Sequence, residues 1–397
     1  MEKRGFTIVK NILSIFFLGL IFACSTRIPP AVIEAYEACQ YDKAAATLKK
    51  KADRQDKDTV LYQLALLSTS MRSADWNLME KSFNAASQVM WSYAGKGKGT
   101  ASLASSEAIK IFKGEPFEKA MASIYGGILY YNRGELDNAR AAFAKSLLAM
   151  AQKKIENRQD FALGYFLQAK TFLRLGDVDN AKIALGKAEK VYPYGKSIFD
   201  LDRLKSSNVI FLVEVGQGPL KKRAGPGDSL VEWQRRSYPE TSAVIFENQQ
   251  PLLNPVEILD LTAQARSKGK TGKDTVQTVK GVTREAATAT AIIAAGEAAK
   301  GNETAGWVAL GAGLFAAANQ SQADVRQWEF LPDKMLVSAK HLEPGQYQFR
   351  VRYVDHGQSD LTGMDQMWNY TVTNDSSTIF LVPRTRCKVN PWIGGRK

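Results

Sequence analysis

Three cysteines, two histidines and one glycine-lysine loop are the residues whose types could carry chemistry, and their spacing removes most of the options. Cys24 ends an apolar run, while Cys39 and Cys387 lie far apart and far from any histidine. None of them shows the paired spacing of a metal site. His341 and His356 fall near expected turns, and neither a Gly-x-Ser-x-Gly elbow nor a His-Glu-x-x-His pair occurs. The loop Ala94-Gly-Lys-Gly-Lys-Gly-Thr-Ala-Ser102 lacks Walker spacing and follows a helical pattern instead of a strand, so it reads as a connection. A pair of carboxylates for hydrolysis is set by the fold, which leaves no trace in spacing. The expectation is a protein that is not an enzyme, with no catalytic residue, no cofactor and no metal.

Cys24 has a different chemistry in prospect. Lys3, Arg4 and Lys10 precede an uncharged apolar run from Asn11 to Ala23. That run is too short to cross about 30 Å of hydrocarbon, and Ala23 is small where a peptidase must cut, so residues 1–23 read as a signal peptide. The stretch Leu20-Ile-Phe-Ala-Cys24 resembles the lipobox of bacterial lipoproteins, although Phe22 is bulkier than is usual there. The resemblance implies that the Cys24 thiol receives a diacylglyceryl group and becomes the first residue of the mature chain. Several acyl chains, at about 0.8 kcal/mol per buried CH2, would make that anchor in membrane lipid effectively permanent. Ser25, in place of an aspartate, implies by analogy with proteobacterial sorting an outer-membrane lipoprotein facing the periplasm.

A chain of 397 residues is too long for one core and suggests two or three units. Its formal charge is +13, and removal of Glu2, Lys3, Arg4 and Lys10 with the signal takes away a net two, leaving +11. Behind an export signal this excess does not point to nucleic acid. The anionic partners open to it are phospholipid head groups, lipopolysaccharide, peptidoglycan or acidic proteins. Cys39 and Cys387 would sit in an oxidising compartment, but one pair so distant in sequence is a weak disulfide signal. Two isolated buried thiols are the expectation.

The elements that hold these residues fall into two halves. Residues 24–205 read as antiparallel helices with a recurring unit. Its clearest copy is Gly127-Ile-Leu-Tyr130-Tyr-Asn-Arg-Gly134-Glu-Leu-Asp-Asn-Ala139-Arg-Ala-Ala-Phe143, where a glycine turn joins two helices, Ala139 lets them approach and Phe143 fills the space. A second copy carries Phe172, Gly176 and Ala181, and two degenerate ones carry Ala44 with Leu48, and Trp76 with Phe83 and Ala86. These resemble tetratricopeptide repeats. The equivalent positions Ala44, Met79, Ala139 and Ala181 are 35, 60 and 42 apart, so the array is irregular. Four stacked pairs predict a continuous core, a unit that folds alone and an open concave face for a partner's peptide or helix.

Beyond residue 205 the period changes. Asn208 to Val215 is an apolar run ended by Gly216-Gln-Gly-Pro219, and Gln346 to Val354 alternates, with Tyr347, Phe349, Val351 and Tyr353 on one face. Shorter strands are expected over 243–246, 335–339, 368–372 and 378–382. Residues 206–260 and 320–397 are the two parts of a strand-rich domain, a small antiparallel sandwich. Between them, residues 261–319 hold a basic linker and two alanine-rich helical segments. Ala287, Ala291, Ala295 and Ala299 form one ridge; Ala305, Ala309, Gly313 and Ala317 form another. Each segment is about 21 Å long, short for a bilayer span. A hairpin packed on the sheet is the reading followed here, with membrane contact or oligomer formation as the other uses of such ridges. The fold class is α+β.

Ala323-Asp-Val-Arg-Gln-Trp328-Glu-Phe-Leu-Pro332, Glu343-Pro-Gly345, Gly114-Glu-Pro-Phe-Glu, the Tyr130 to Ala139 unit and Gly216-Gln-Gly-Pro219 together resemble a family of little-characterised proteobacterial outer-membrane lipoproteins with tetratricopeptide-like halves. The resemblance spans nearly the whole mature chain and implies a cell-envelope setting, beside lipoproteins similar to activators of penicillin-binding proteins. It brings no catalytic set. Two functions are expected: a periplasmic adaptor that holds a protein partner, or a homo-oligomeric subunit of an outer-membrane assembly or export complex.

Overall fold

A computed structural model describes residues 28–92, 111–151, 161–225, 228–267, 323–373 and 378–384, with 290–292, 295, 308 and 309. The fold is α+β, with N-terminal helices followed by sheets that are mostly antiparallel. Eight helices come in pairs: α1 Pro30–Glu37 with α2 Tyr41–Ala52, α3 Thr59–Ser73 with α4 Trp76–Met90, α5 Pro116–Asn132 with α6 Leu136–Met150, and α7 Ala162–Arg174 with α8 Val178–Val191. Each packs mainly on its chain neighbours. A 3-10 turn Pro193–Ile198 and a short α9 Leu201–Ser206 lead into the sheets.

One turn geometry closes all four pairs. Cys39, Ala74, Gly134 and Gly176 have φ of 62°, 57°, 81° and 80°. In each case the next amide reaches back five residues to a carbonyl: Gln40 to Ala35 at 2.8 Å, Asp75 to Ser70 at 3.0 Å, Glu135 to Tyr130 at 2.9 Å and Asp177 to Phe172 at 2.9 Å. This left-handed closure satisfies carbonyls that the ending helix leaves open. Five residues after each left-handed position stand Ala44, Met79, Ala139 and Ala181, all at most 1% exposed. The 35, 60 and 42 spacing is therefore the spacing of the turns themselves. Two of the four turns carry a side chain where glycine is unstrained. Ala74→Gly is expected to raise stability by about 1 kcal/mol, seen as a higher melting temperature, because the Ala74 Cβ is exposed and contributes only strain.

Small residues set the crossings. A Cβ added at Gly127 would lie 2.4 Å from the Phe143 ring, and one at Gly126 would lie 2.5 Å from Phe83. Phe83 and Phe143 thus fill the space that α5 leaves open toward α4 and α6.

The strands are β1 Val209–Val215, β2 Leu220–Ala224, β3 Leu230–Gln234, β4 Ser242–Glu247, β5 Gln250–Leu253, β6 Val256–Asp260, β7 Lys334–Lys340, β8 Gly345–Val354, β9 Gln366–Val372 and β10 Ile379–Leu381, with α10 Leu261–Ser267 after β6. One sheet has the order β10-β1-β7-β6, a second β5-β4-β8-β9, and β2 and β3 form a separate ribbon. Among the described strands β10 pairs parallel with β1, and the other pairings are antiparallel.

Every residue of β1 is buried because the strand has core on both faces. Ile210 and Leu212 face the helices, in a core shared with Leu67, Tyr125, Tyr131 and Phe166. Val209, Phe211, Val213 and Val215 face the second sheet, meeting Ile245, Phe349, Val351 and Trp368. The layers run helices, first sheet, second sheet. The helical core and the first sheet's core form one cluster of buried residues.

Candidate functional site

The chain's own residues cover one side of the helices. Residues 323–332, which carry no regular structure, run along the odd-numbered helices α1, α3 and α5. Phe330 stacks on Tyr36 of α1 at 3.9 Å between ring centroids. The Trp328 indole donates to Ser68 Oγ of α3 at 3.0 Å, and its amide donates to Glu118 Oε1 of α5 at 2.5 Å. Arg326, wholly buried, donates to Asp58 at the start of α3 at 2.6 Å and to Asp324 at 2.7 Å. A side chain so polar enters the core only with carboxylates to meet it.

The first sheet completes the filling. Glu214 lies on the helix-facing side of β1, where alternation would place an apolar residue, and it is fully buried. Arg72 from the last turn of α3 pairs with it, Tyr125 Oη donates to its Oε1 at 2.5 Å, and Arg384 stands 3.4 Å from Oε2. Arg72 also donates to the Val382 carbonyl at 3.1 Å, and Arg384 to the Phe330 carbonyl at 2.5 Å. Burial, then the Glu214 charge, holds the Tyr125 phenol well above its usual range. It stays a neutral donor. Farther along, Asn132 makes a two-way amide contact with Phe380, both bonds 2.9 Å, and Lys170 donates to the Leu204 and Ser207 carbonyls at 2.6 and 2.7 Å. Burial, with Arg174 adding to it, pulls the Lys170 ammonium down to about 8.

Near the entry of α5 the polar groups tighten again. Glu118 accepts from the Glu115 and Trp328 amides, and Lys221 of β2 reaches Glu115 at 2.5 Å. Burial and then the neighbouring Glu115 push the Glu118 carboxyl up to about 7, against the pull of the two amides and Lys221. These centres are built from the chain's own groups. They lock helices to sheets. Among the described residues no group of three or more His, Cys, Asp or Glu is placed to hold a metal, and no helix is long and apolar enough to cross a membrane.

The expected repeat residues come together as helix contacts. Ala44, Phe83, Ala139, Phe143 and Ala181 are buried; Tyr130 and Phe172 are half-buried, with Tyr130 Oη 3.3 Å from Asn84; Gly134 and Gly176 are the turns. Of the alanine ridges, Ala291, Ala295 and Ala309 are helical, beside Ile292 and Val308 at 68% and 47% exposure. Ala287, Ala299, Ala305, Gly313 and Ala317 lie outside the described residues, as do Cys24 and Cys387. His341 and His356 are both exposed. Cys39 corrects an expectation: it is not an isolated thiol but half of a disulfide, whose other half lies outside the described residues.

Sequence reading missed the Arg72–Glu214–Arg384 centre and the groove-filling segment. A charge inside Phe-Leu-Val-Glu-Val was the one available signal. Comparison of the chain with protein-family models, with curated proteins and with solved structures found no match.

Proposed function

We propose that this chain is a non-enzymatic outer-membrane lipoprotein, anchored through Cys24, that serves as a periplasmic adaptor in a cell-envelope complex. The helical half is read as a tetratricopeptide-like solenoid and the two facing sheets as a small sandwich-like domain. The observation that carries the reading is the single turn geometry recurring at Cys39, Ala74, Gly134 and Gly176, since stacked helix pairs of that kind are a scaffold for contact. With the odd-numbered helices committed to the chain's own segment and sheet, the even-numbered helices are left to meet a partner. Leu148 of α6 and Ile183 of α8 stand there at 57% and 55% exposure. The locked seam makes the two halves one body, so a partner on the helices would be held at a fixed place relative to the anchor.

The second reading, an oligomeric subunit of an assembly or export complex, is favoured by the exposure of Ile292 and Val308 in the insertion. Light scattering on the detergent-extracted protein separates the two. A monomer at every concentration supports the adaptor; a discrete higher oligomer supports the alternative. The anchor has its own test. Wild type is expected to incorporate radiolabelled palmitate and Cys24→Ala to lose it completely, whereas label persisting in the variant would remove the anchor from Cys24.

A further inference from the structure

We propose that one end of the molecule, formed by the last turn of α2, the start of α3 and Ile111, is a docking face for the anionic phospholipid head groups of the membrane that holds Cys24. The inference rests on Cys24 as the acylated residue. Ile28 is only 1% exposed and Pro30 begins α1, so just three residues, four Cα–Cα steps, separate the lipid from the folded body. Fully extended they span at most about 14 Å. The body must lie against the membrane, and it must do so at the end where Ile28 sits.

The α1–α2 hairpin fixes which end that is. Its two helices run antiparallel from the turn at Cys39, and at equal rise per residue the start of α1 is level with the last turns of α2. That last turn is Lys49-Lys50-Lys51, followed by Arg54. Lys49, Lys50 and Arg54 are exposed, Lys51 is half-buried with its ammonium 5.5 Å from the Tyr62 ring centroid, and the acids that share this end are Asp53 and Asp56. Ile111 joins them through its neighbour: the Phe112 amide donates to the Lys57 carbonyl at 2.8 Å, and Ile111, one residue before it in the chain, stands 60% exposed. Cations around a protruding apolar side chain, beside a lipid tether, suit a surface that is anionic outside and apolar just beneath. Ala323, where the chain returns from its alanine-rich insertion, is three residues from Arg326 and its partner Asp58, so the insertion re-enters the fold at this same end.

The test uses the acyl-free chain from Ser25 to Lys397, which keeps every described residue. It is sedimented with vesicles of phosphatidylcholine alone, or with about 30 mol % phosphatidylglycerol added. Binding is expected only to the anionic vesicles and to fade at ~0.5 M salt. Lys49→Glu, Lys50→Glu and Arg54→Glu together are expected to weaken it on the order of a hundredfold. Melting should be unchanged, because these side chains project from the fold. Should that variant misfold, Ile111→Ser gives the reading instead, with roughly tenfold weaker binding. Equal binding to both vesicle types, or binding unmoved by the substitutions, would overturn the docking face. Failure of the anchor shows separately, as wild type that takes no palmitate.

Discussion

Glu214→Ala is expected to cost about 3–5 kcal/mol, enough to leave much of the chain unfolded at 37 °C. Glu214 is fully buried, and its carboxylate is what Arg72 and Arg384 face. Removing it leaves two guanidinium groups in the interior facing an acceptor that is gone, and Tyr125 loses its acceptor as well. The mechanism is the cost of stranded charge, not loss of a favourable pair. Arg133→Ala supplies the contrast. Its partner Glu80 is one-third exposed, and a pair so near water contributes at most about 1 kcal/mol. Denaturant unfolding of the three proteins measures both. Equal losses for Glu214→Ala and Arg133→Ala would mean that the seam between helices and sheets is not where stability is concentrated.

Ala139→Asp is expected to cost at least about 3 kcal/mol in the same experiment. Ala139 has no exposed surface and stands where α6 meets α5, five residues past the left-handed Gly134. A carboxylate there would be placed inside a fully buried helix crossing. Ala141→Asp, two residues on and exposed, should change stability by no more than about 0.5 kcal/mol. The seam adds a second expectation. Because Ile210, Leu212 and Phe380 share a core with the helices, loss of the α5–α6 crossing should be felt in the sheets, giving one cooperative transition by far-UV and by tryptophan signals. Two separate transitions would restore the independent helical unit that the repeats alone suggest.

What was readable from the residues was local. Gly134 and Gly176 announced two hairpins, since a positive φ favours glycine; Cys39 and Ala74 hid the same turn behind ordinary side chains, and only the spacing to Ala44 and Met79 betrayed them. Strict alternation disclosed β8. The ribbon β2–β3 escaped because Leu220-Lys-Lys-Arg-Ala224 is too charged to look like a strand, and β5 and β6 because they are short. The groove-filling segment had no period to detect. Its contacts are long-range: Arg326 meets Asp58 268 residues away, and Trp328 meets Ser68 260 residues away. For that reason an open concave face looked plausible, and Glu214 looked like an interruption in an apolar run. A charge in a central strand is intelligible only once Arg72 and Arg384 arrive from distant parts of the chain.

The adaptor reading is tested most directly by site-specific photo-crosslinking in living cells, with the reactive residue placed in the full chain at Leu148 or Ile183 on the even-numbered helices, or at Met367 on the outer sheet. All three positions are more than half exposed, so each can report a neighbour. The account predicts that Leu148 and Ile183 both crosslink to one and the same envelope protein and that Met367 does not. Adducts only between copies of this chain, or none from either helical position, would contradict it.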